Sequence, residues 1–357
     1  MTPPAFRLPV LPFRRLAARI LAALLLGLPL MGLPGHAHAL AWRVVTADDL
    51  PAHAEFVRAL REPAGQAAAA PAIEIVRLDA GGALPAAAPE SNEDSVVAGV
   101  RTRSLTRDAP AAHALPPEGL TIALGAAAAR AALAQPGREP LLLAMLSRLD
   151  YEDLRSLPAL RQAQRRVGVL LREPAMADQL ALVDAVLPGK RRLGLVVTGE
   201  SAPMVEELRR AAAAMGSDWQ LNVEAAPDAR SLAAALRVVL QDSDALMVLP
   251  DLIGDSQAAT LAVLRAGASA GLPVFGTSEG MVRSGALAAA VSTPAQLARQ
   301  ARGLGERLVA SAGQASAAPL VEGATPASVR VNATVARGLK LRVPSEQELA
   351  QRLSAPR

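Results

Sequence analysis

The stretch Asp244–Gln300 reads DALMVLPDLIGDSQAATLAVLRAGASAGLPVFGTSEGMVRSGALAAAVSTPAQLARQ. Ala245 to Leu249 is an apolar run of strand length that stops at Pro250-Asp251, and Ser256 to Ala270 then repeats Ala, Leu and Val at helical spacing. A second apolar run, Leu272 to Phe275, ends at Gly276, so the unit closes as strand, helix, strand. That pattern belongs to a parallel sheet, where ligands lie beyond the carboxyl ends of the strands. Asp251 and the loop Gly276 to Gly280 therefore fall on one candidate rim.

The same alternation runs through the rest of the chain. Ala41 to Thr46, Pro71 to Leu78, Leu120 to Leu124, Pro140 to Leu146 and Arg166 to Leu171 read as strands, with helices at Leu50 to Arg61, Ala126 to Leu133 and Asp150 to Gln164. A second series follows, with strands at Arg192 to Val197 and Trp219 to Glu224 and helices at Leu180 to Leu187, Pro203 to Met215 and Ala229 to Leu240. Pro294 to Val309 reads as an amphipathic helix with Arg299, Arg302 and Arg307 facing solvent. Two α/β lobes suit a chain of 357 residues. Residues 79–119, rich in Ala, Pro, Gly and Ser, read as a mobile insert holding His113, and Ser311 to Pro319 as a linker.

The first 39 residues read as a secretory signal peptide. Arg7, Arg14, Arg15 and Arg19 precede an apolar run from Ile20 to Leu33, and Ala37-His38-Ala39 is a small-x-small cleavage site. The expected location is the periplasm, with cleavage after Ala39. Pro29 and Pro34 interrupt the run before it reaches membrane-spanning length. The segment carries four of the 37 basic side chains and no acidic one, so its removal leaves the rest level with the 33 acidic groups. The basic balance therefore gives no argument for nucleic acid. Cysteine is absent, which excludes disulfides, thiol catalysis and cysteine metal sites.

Aromatic side chains beyond the signal are Trp42, Phe56, Tyr151, Trp219 and Phe275 alone, too few for a pocket that stacks sugars. His53 and His113 are the remaining histidines. Gly276-Thr277-Ser278-Glu279-Gly280 has the form of a nucleophile elbow, yet no histidine follows it to serve as base. No enzyme activity, cofactor or metal is expected. Asp255 reads as the cap of the following helix, while Asp251 has two readings, ligand acceptor and loop cap. Thr46, Gly125, Ala126, Thr198, Ser201 and Ser278 follow strands, where hydroxyls and helix N-terminal amides can hold a carboxylate. With Asp251 they form the candidate ligand-binding set.

The segments DQLALVDAVLPGKRRLGLVV (178–197), DALMVLPD (244–251), GLPVFGTSEGMVRSGALAAAVSTPAQLARQ (271–300) and VRVNATVARGLKL (329–341) resemble the periplasmic substrate-binding proteins of uncharacterised ABC transport systems, the group that includes tryptophan and tyrosine binders. The resemblance implies a type I periplasmic binding fold, with two Rossmann-like lobes, a multi-segment hinge and a ligand between them. Carried over, the first lobe is 40–171 plus 277–323 and the second 172–276 plus 324–357. It implies a small polar ligand such as an amino acid or small carboxylate, a monomer, and a permease as partner. The alternative is a periplasmic sensor serving a receptor. In the family, hydroxyl and amide groups near first-lobe strand ends take the carboxylate, and Pro250-Asp251 matches a Pro-Asp position whose following asparagine is here Leu252.

Overall fold

A computed structural model describes residues 41–63, 72–84, 119–161, 165–216, 218–311, 318–325 and 328–354. The expected signal peptide, His113, all but the ends of the expected insert at 79–119, and most of the 311–319 linker lie outside these residues.

The described chain builds two six-stranded sheets. The first contains β1 (Ala41–Thr46), β2 (Ala72–Arg77), β3 (Leu120–Leu124), β4 (Leu141–Leu146), β5 (Val167–Pro174) and a late-arriving strand, Leu320–Ala324, in the order Leu320–Ala324, β5, β4, β3, β1, β2, all parallel. β3 (LTIAL) and β4 (LLLAML) are buried at every position, as a strand covered on both faces must be. Helices α1 (Pro51–Arg61) and Pro294–Ala310 cover one face through Phe56, Leu60, Leu297 and Leu304. On the other face lie α2 (Gly125–Ala134), α3 (Arg148–Arg155) and α4 (Pro158–Arg161), which contribute Ala128, Leu133, Leu154 and Leu160.

The chain then enters the second half. It runs through α5 (Met176–Val186), β6 (Arg192–Val197), α6 (Ala202–Ala214), β7 (Gln220–Ala225), α7 (Ala229–Val239), β8 (Ala245–Met247), α8 (Leu252–Asp255), α9 (Gln257–Ala270), β9 (Val274–Phe275), α10 (Glu279–Ser284) and β10 (Ala288–Val291). After α11 (Pro294–Ala310) and β11 (Leu320–Ala324) come β12 (Ser328–Val331), α12 (Ala333–Gly338) and α13 (Glu346–Ser354). The second sheet has the order β12, β10, β9, β8, β6, β7, and β12 is antiparallel to β10. α5, α6 and α13 pack on one face through Leu180, Leu208, Leu349 and Leu353, while α7, α9 and α10 cover the other through Leu236, Val263 and Val282. The expected α/β class with two parallel-dominated sheets is thus present.

Three differences from the sequence reading follow from pairing. β10 joins the second sheet, with Ala288 in register with Phe275, although 277–323 was expected in the first lobe. Only from α11 onward does that segment belong to the first sheet. The strand expected to end at Leu171 continues through Arg172-Glu173 to Pro174, and so forms the exit from the first sheet. Arg302 faces inward, 7% exposed, where its Nη2 donates to Leu60 O and Glu62 O at the carboxyl end of α1. A guanidinium there satisfies carbonyls that the helix leaves unpaired.

The chain passes between the sheets after Pro174, after Val291 and after Ala324. The first and third crossings touch. A Cβ at Gly323 would stand 3.0 Å from Ala175 N and 3.4 Å from Glu173 O, so a side chain there would press on the first crossing where it meets the third. Gln300 clips the third crossing: its Nε2 donates to Gly323 O at 2.9 Å and its Oε1 accepts from Thr325 N at 2.9 Å.

Candidate functional site

At the carboxyl edge of the first sheet, Thr46 ends β1 in register with Leu124, which places it beside Gly125 and Ala126 at the start of α2. Thr46 is 6% exposed, and its carbonyl accepts from Leu78 N at 2.9 Å. Asp48 and Asp49 precede α1, whose N-cap is Leu50, with no side-chain acceptor. Asp48 Oδ1 lies 2.7 Å from His53 Nδ1 and accepts from Leu50 N at 3.3 Å, while Asp49 is held by Arg77. His53 packs its ring against Gly125, whose φ is +78°.

On the second sheet, Thr198, Ser201 and Asp251 form one cluster. Ser201 Oγ accepts from Thr198 N at 3.0 Å and donates to Asp251 Oδ2. Asp251 Oδ1 accepts from Ile253 N at 2.9 Å and Gly254 N at 3.1 Å, which caps α8. Asp251 and Ser201 are each 0% exposed. Of the two readings, the cap is therefore the one the hydrogen bonds fill. The cap of α9 is Ser256, whose Oγ accepts from Ala259 N at 3.3 Å, not Asp255. Ser278 is exposed and caps α10 by accepting from Met281 N at 3.2 Å. Its Oγ thus supports a helix start, and the one histidine among the described residues, His53, lies on α1 against the other sheet.

Segments at the strand ends also join the two halves. Arg148 follows β4, and its guanidinium lies 2.8 Å from Glu207 of α6, with the two side chains 12% and 21% exposed. Glu207 also accepts from Met176 N at 3.1 Å, tying the same carboxylate to the first crossing. Leu149 packs into the second lobe's core. Arg172 Nε donates to Glu173 Oε1 at 2.8 Å, and Glu173 Oε2 accepts from Arg148 N at 3.1 Å. Burial pushes the Glu173 carboxyl up, against the opposing pull of Arg172 and the Arg148 amide. Burial works to lower Arg172, but Glu173 outweighs it, and Asp255 and Asp150 add to the rise. The charge of Asp255 thus reaches Arg172 from the opposite sheet.

The structure brings the candidate residues together as two groups, Thr46 with Gly125 and Ala126 on one edge, and Thr198 with Ser201 and Asp251 on the other, with Ser278 one strand further along. Sequence reasoning missed the groups between them, Arg148, Glu207 and Arg172, and it left His53 without a role. The spacing Asp48 to His53 across a helix start was the available signal. The large aromatics are elsewhere: Trp42, Phe56 and Phe275 are at most 1% exposed in the cores. Leu50 and Leu252, 52% and 53% exposed, are the apolar side chains presented near the strand ends. Among the described residues no cluster of His, Asp or Glu could hold a metal ion, and no helix is long and apolar enough to cross a membrane.

Solved structures include chains similar to this one. The chain is 15% identical to a ligand-free, open substrate-binding protein with adhesive properties from Clostridium difficile, covering 86% of this chain and 97% of that one with a TM-score of 0.55. A protein from Streptococcus pneumonia, described as an ABC domain in complex with L-Trp, is 16% identical over 86% of this chain and 96% of that one, TM-score 0.48. A conserved domain protein from Vibrio cholerae is 17% identical over 88% and 99%, also at TM-score 0.48. No curated protein matches. Residues 158–345, just over half the chain, match the family described as ABC transporter substrate binding protein, and the chain belongs to that family.

Proposed function

We propose that the protein is the periplasmic solute-binding component of an ABC-type import system, holding a small amino acid or carboxylate between its lobes without catalysis. The observation that supports this reading is the pair of parallel-dominated sheets joined by three crossings, the first and third of which lie in contact. Such an arrangement lets the halves rotate about the crossings and shut on a ligand. In this reading one lobe is 40–174 with 294–324 and the other 175–291 with 328–354. Thr46, Gly125 and Ala126 supply hydroxyl and amide groups to the ligand from the first lobe. Thr198, Ser201, Asp251 and Ser278 shape the facing tip, Ser201 and Asp251 from behind. The closed monomer then docks on a membrane permease, after export and cleavage behind Ala39.

One observation favours a sensor with a degenerate cleft as the second reading. Asp251 has both oxygens engaged and is followed by exposed Leu252, so the Pro-Asp position offers the ligand no evident charge. Thermal-shift screening of the purified protein against amino acids, small carboxylates and sugars tests both. A ligand at 100 times its dissociation constant stabilises the fold by about 2.7 kcal/mol. A shift with one amino acid or carboxylate class supports the first reading, and no shift with any class counts against it in favour of the second.

A further inference from the structure

His53 is the third residue of α1, with 9% of its side chain exposed. Asp48 holds its Nδ1 at 2.7 Å and, by also accepting from Leu50 N, fixes the loop that carries both. The opposite side of the ring lies on Gly125. A Cβ there would stand 3.2 Å from His53 Cε1 and 3.6 Å from Nε2, so the glycine makes room for the imidazole. Gly125 is also the first residue of the ten-residue helix α2, whose N-cap Leu124 offers no side-chain acceptor to the first-turn amides. By contrast α3, on the same edge, is closed by a full capping box from Ser147 and Asp150. Among the described residues Nε2 has no hydrogen-bond partner. An open helix start and an orphan ring nitrogen thus share one spot at the tip of β3.

We propose that His53 is a specificity-determining residue of the cleft, its Nε2 joining the first-turn amides of α2 in holding a ligand carboxylate. The proposal rests on the solute-binding reading and names the side chain that selects for the acid. Asp48 takes the Nδ1 proton and orients the ring. With a carboxylate at Nε2 the ring stands between two acidic groups, one at each nitrogen. The positive end of the α2 dipole adds to the attraction. A carboxamide or an alcohol of the same shape lacks the charge that this arrangement rewards.

The test uses the full chain labelled at histidine rings and backbone amides, followed by NMR. The ring signal missing from a His53→Gln variant identifies His53. Sodium acetate is the probe, with sodium chloride at equal ionic strength as control. A saturable shift of the His53 ring and the Ala126 amide with acetate, unmatched by chloride, is the expected result. In His53→Gln the acetate affinity read at the Ala126 amide falls about ten- to a hundredfold, the range for a hydrogen bond to a charged group. Asp48→Asn, which keeps an acceptor for Nδ1 but removes its charge, gives a smaller loss in the same direction. If the wild-type His53 signal does not saturate, or follows chloride equally, the proposal is overturned whatever the variants do. If screening finds a carboxylate ligand whose affinity His53→Gln leaves unchanged, the His53 assignment falls while the solute-binding reading stands. If acetate saturates at His53 but screening finds no ligand, only a bare anion site remains, and the specificity role of His53 falls with the solute-binding reading.

Discussion

Breaking the ion pair between Arg148 and Glu207 will weaken the protein as a whole, because that pair binds the first lobe to the second. At a separation of 2.8 Å between N and O, with the charge centres roughly 4 Å apart, the Coulomb term at an effective dielectric near 20 is about 4 kcal/mol. The side chains are only 12% and 21% exposed, so desolvation returns much of this. A net coupling of about 1–2 kcal/mol remains, above the 0–1 kcal/mol typical of exposed pairs. Glu207→Gln keeps an acceptor for Met176 N, and Arg148→Met keeps most of the buried stem, so the two singles and the double form a clean cycle. Urea unfolding supplies the free energies, read by fluorescence. Trp42 sits in the first core and Trp219 packs against the second, so each lobe has its own reporter. Coincident transitions for both tryptophans and a positive coupling are expected. A coupling within about 0.3–0.5 kcal/mol of zero, the error for independent sites, refutes the bridge as an interlobe fastening.

Other perturbations have equally definite outcomes. Arg192 holds the Asp244 carboxyl down to about 2 from 3.8 through a hydrogen-bonded pair, with Lys190 adding to it. A depressed carboxylate stabilises the fold above its unfolded pKa and loses that contribution as pH falls through the folded value. Asp244→Asn should therefore cost roughly 1 kcal/mol at neutral pH, after allowance for solvent screening, with the difference from wild type vanishing between about pH 4 and pH 2 in thermal melts. Glu173 is shifted the other way by burial, so its fold stability is fully present below the unfolded pKa and is lost as pH rises through the folded one. Glu173→Gln should accordingly match wild type in acid and gain on it as pH rises. Ser201→Ala leaves a buried oxygen of Asp251 without its donor and should lower stability by about 1–3 kcal/mol in urea unfolding. Gly194→Ala would drive a methyl into Val239, Ser243 and Leu246, and about 1–3 kcal/mol of overpacking should appear in the same assay.

The parts of the fold legible in the sequence are those where one physical signal acts alone. β3, β4 and β6 are central, buried strands, and each reads as a plain apolar run. β11 escaped notice because it is an edge strand with exposed Leu320 and half-buried Glu322, a mixture that looks like linker until β5 supplies its partner. The second crossing lies beyond the boundary at 277 that the family resemblance implies, because β10 pairs with β9, a contact that the sequence pattern does not display. For the site, strand ends pointed to Thr46, Gly125, Thr198 and Asp251 without revealing which were free. That Asp251 spends its oxygens on two amides and Ser201, and that His53 does not spend its Nε2, depends on contacts between loops distant in sequence.

Because the chain crosses three times, neither lobe is a continuous piece of polypeptide. The first sheet takes its sixth strand from residues 320–324, and the second core draws Leu349 and Leu353 from residues 346–354. As the chain folds, both halves stay unfinished until those later segments arrive, and their apolar faces wait uncovered. A chain so interleaved gathers its stability late and nearly all at once, when the returning segments complete both cores together.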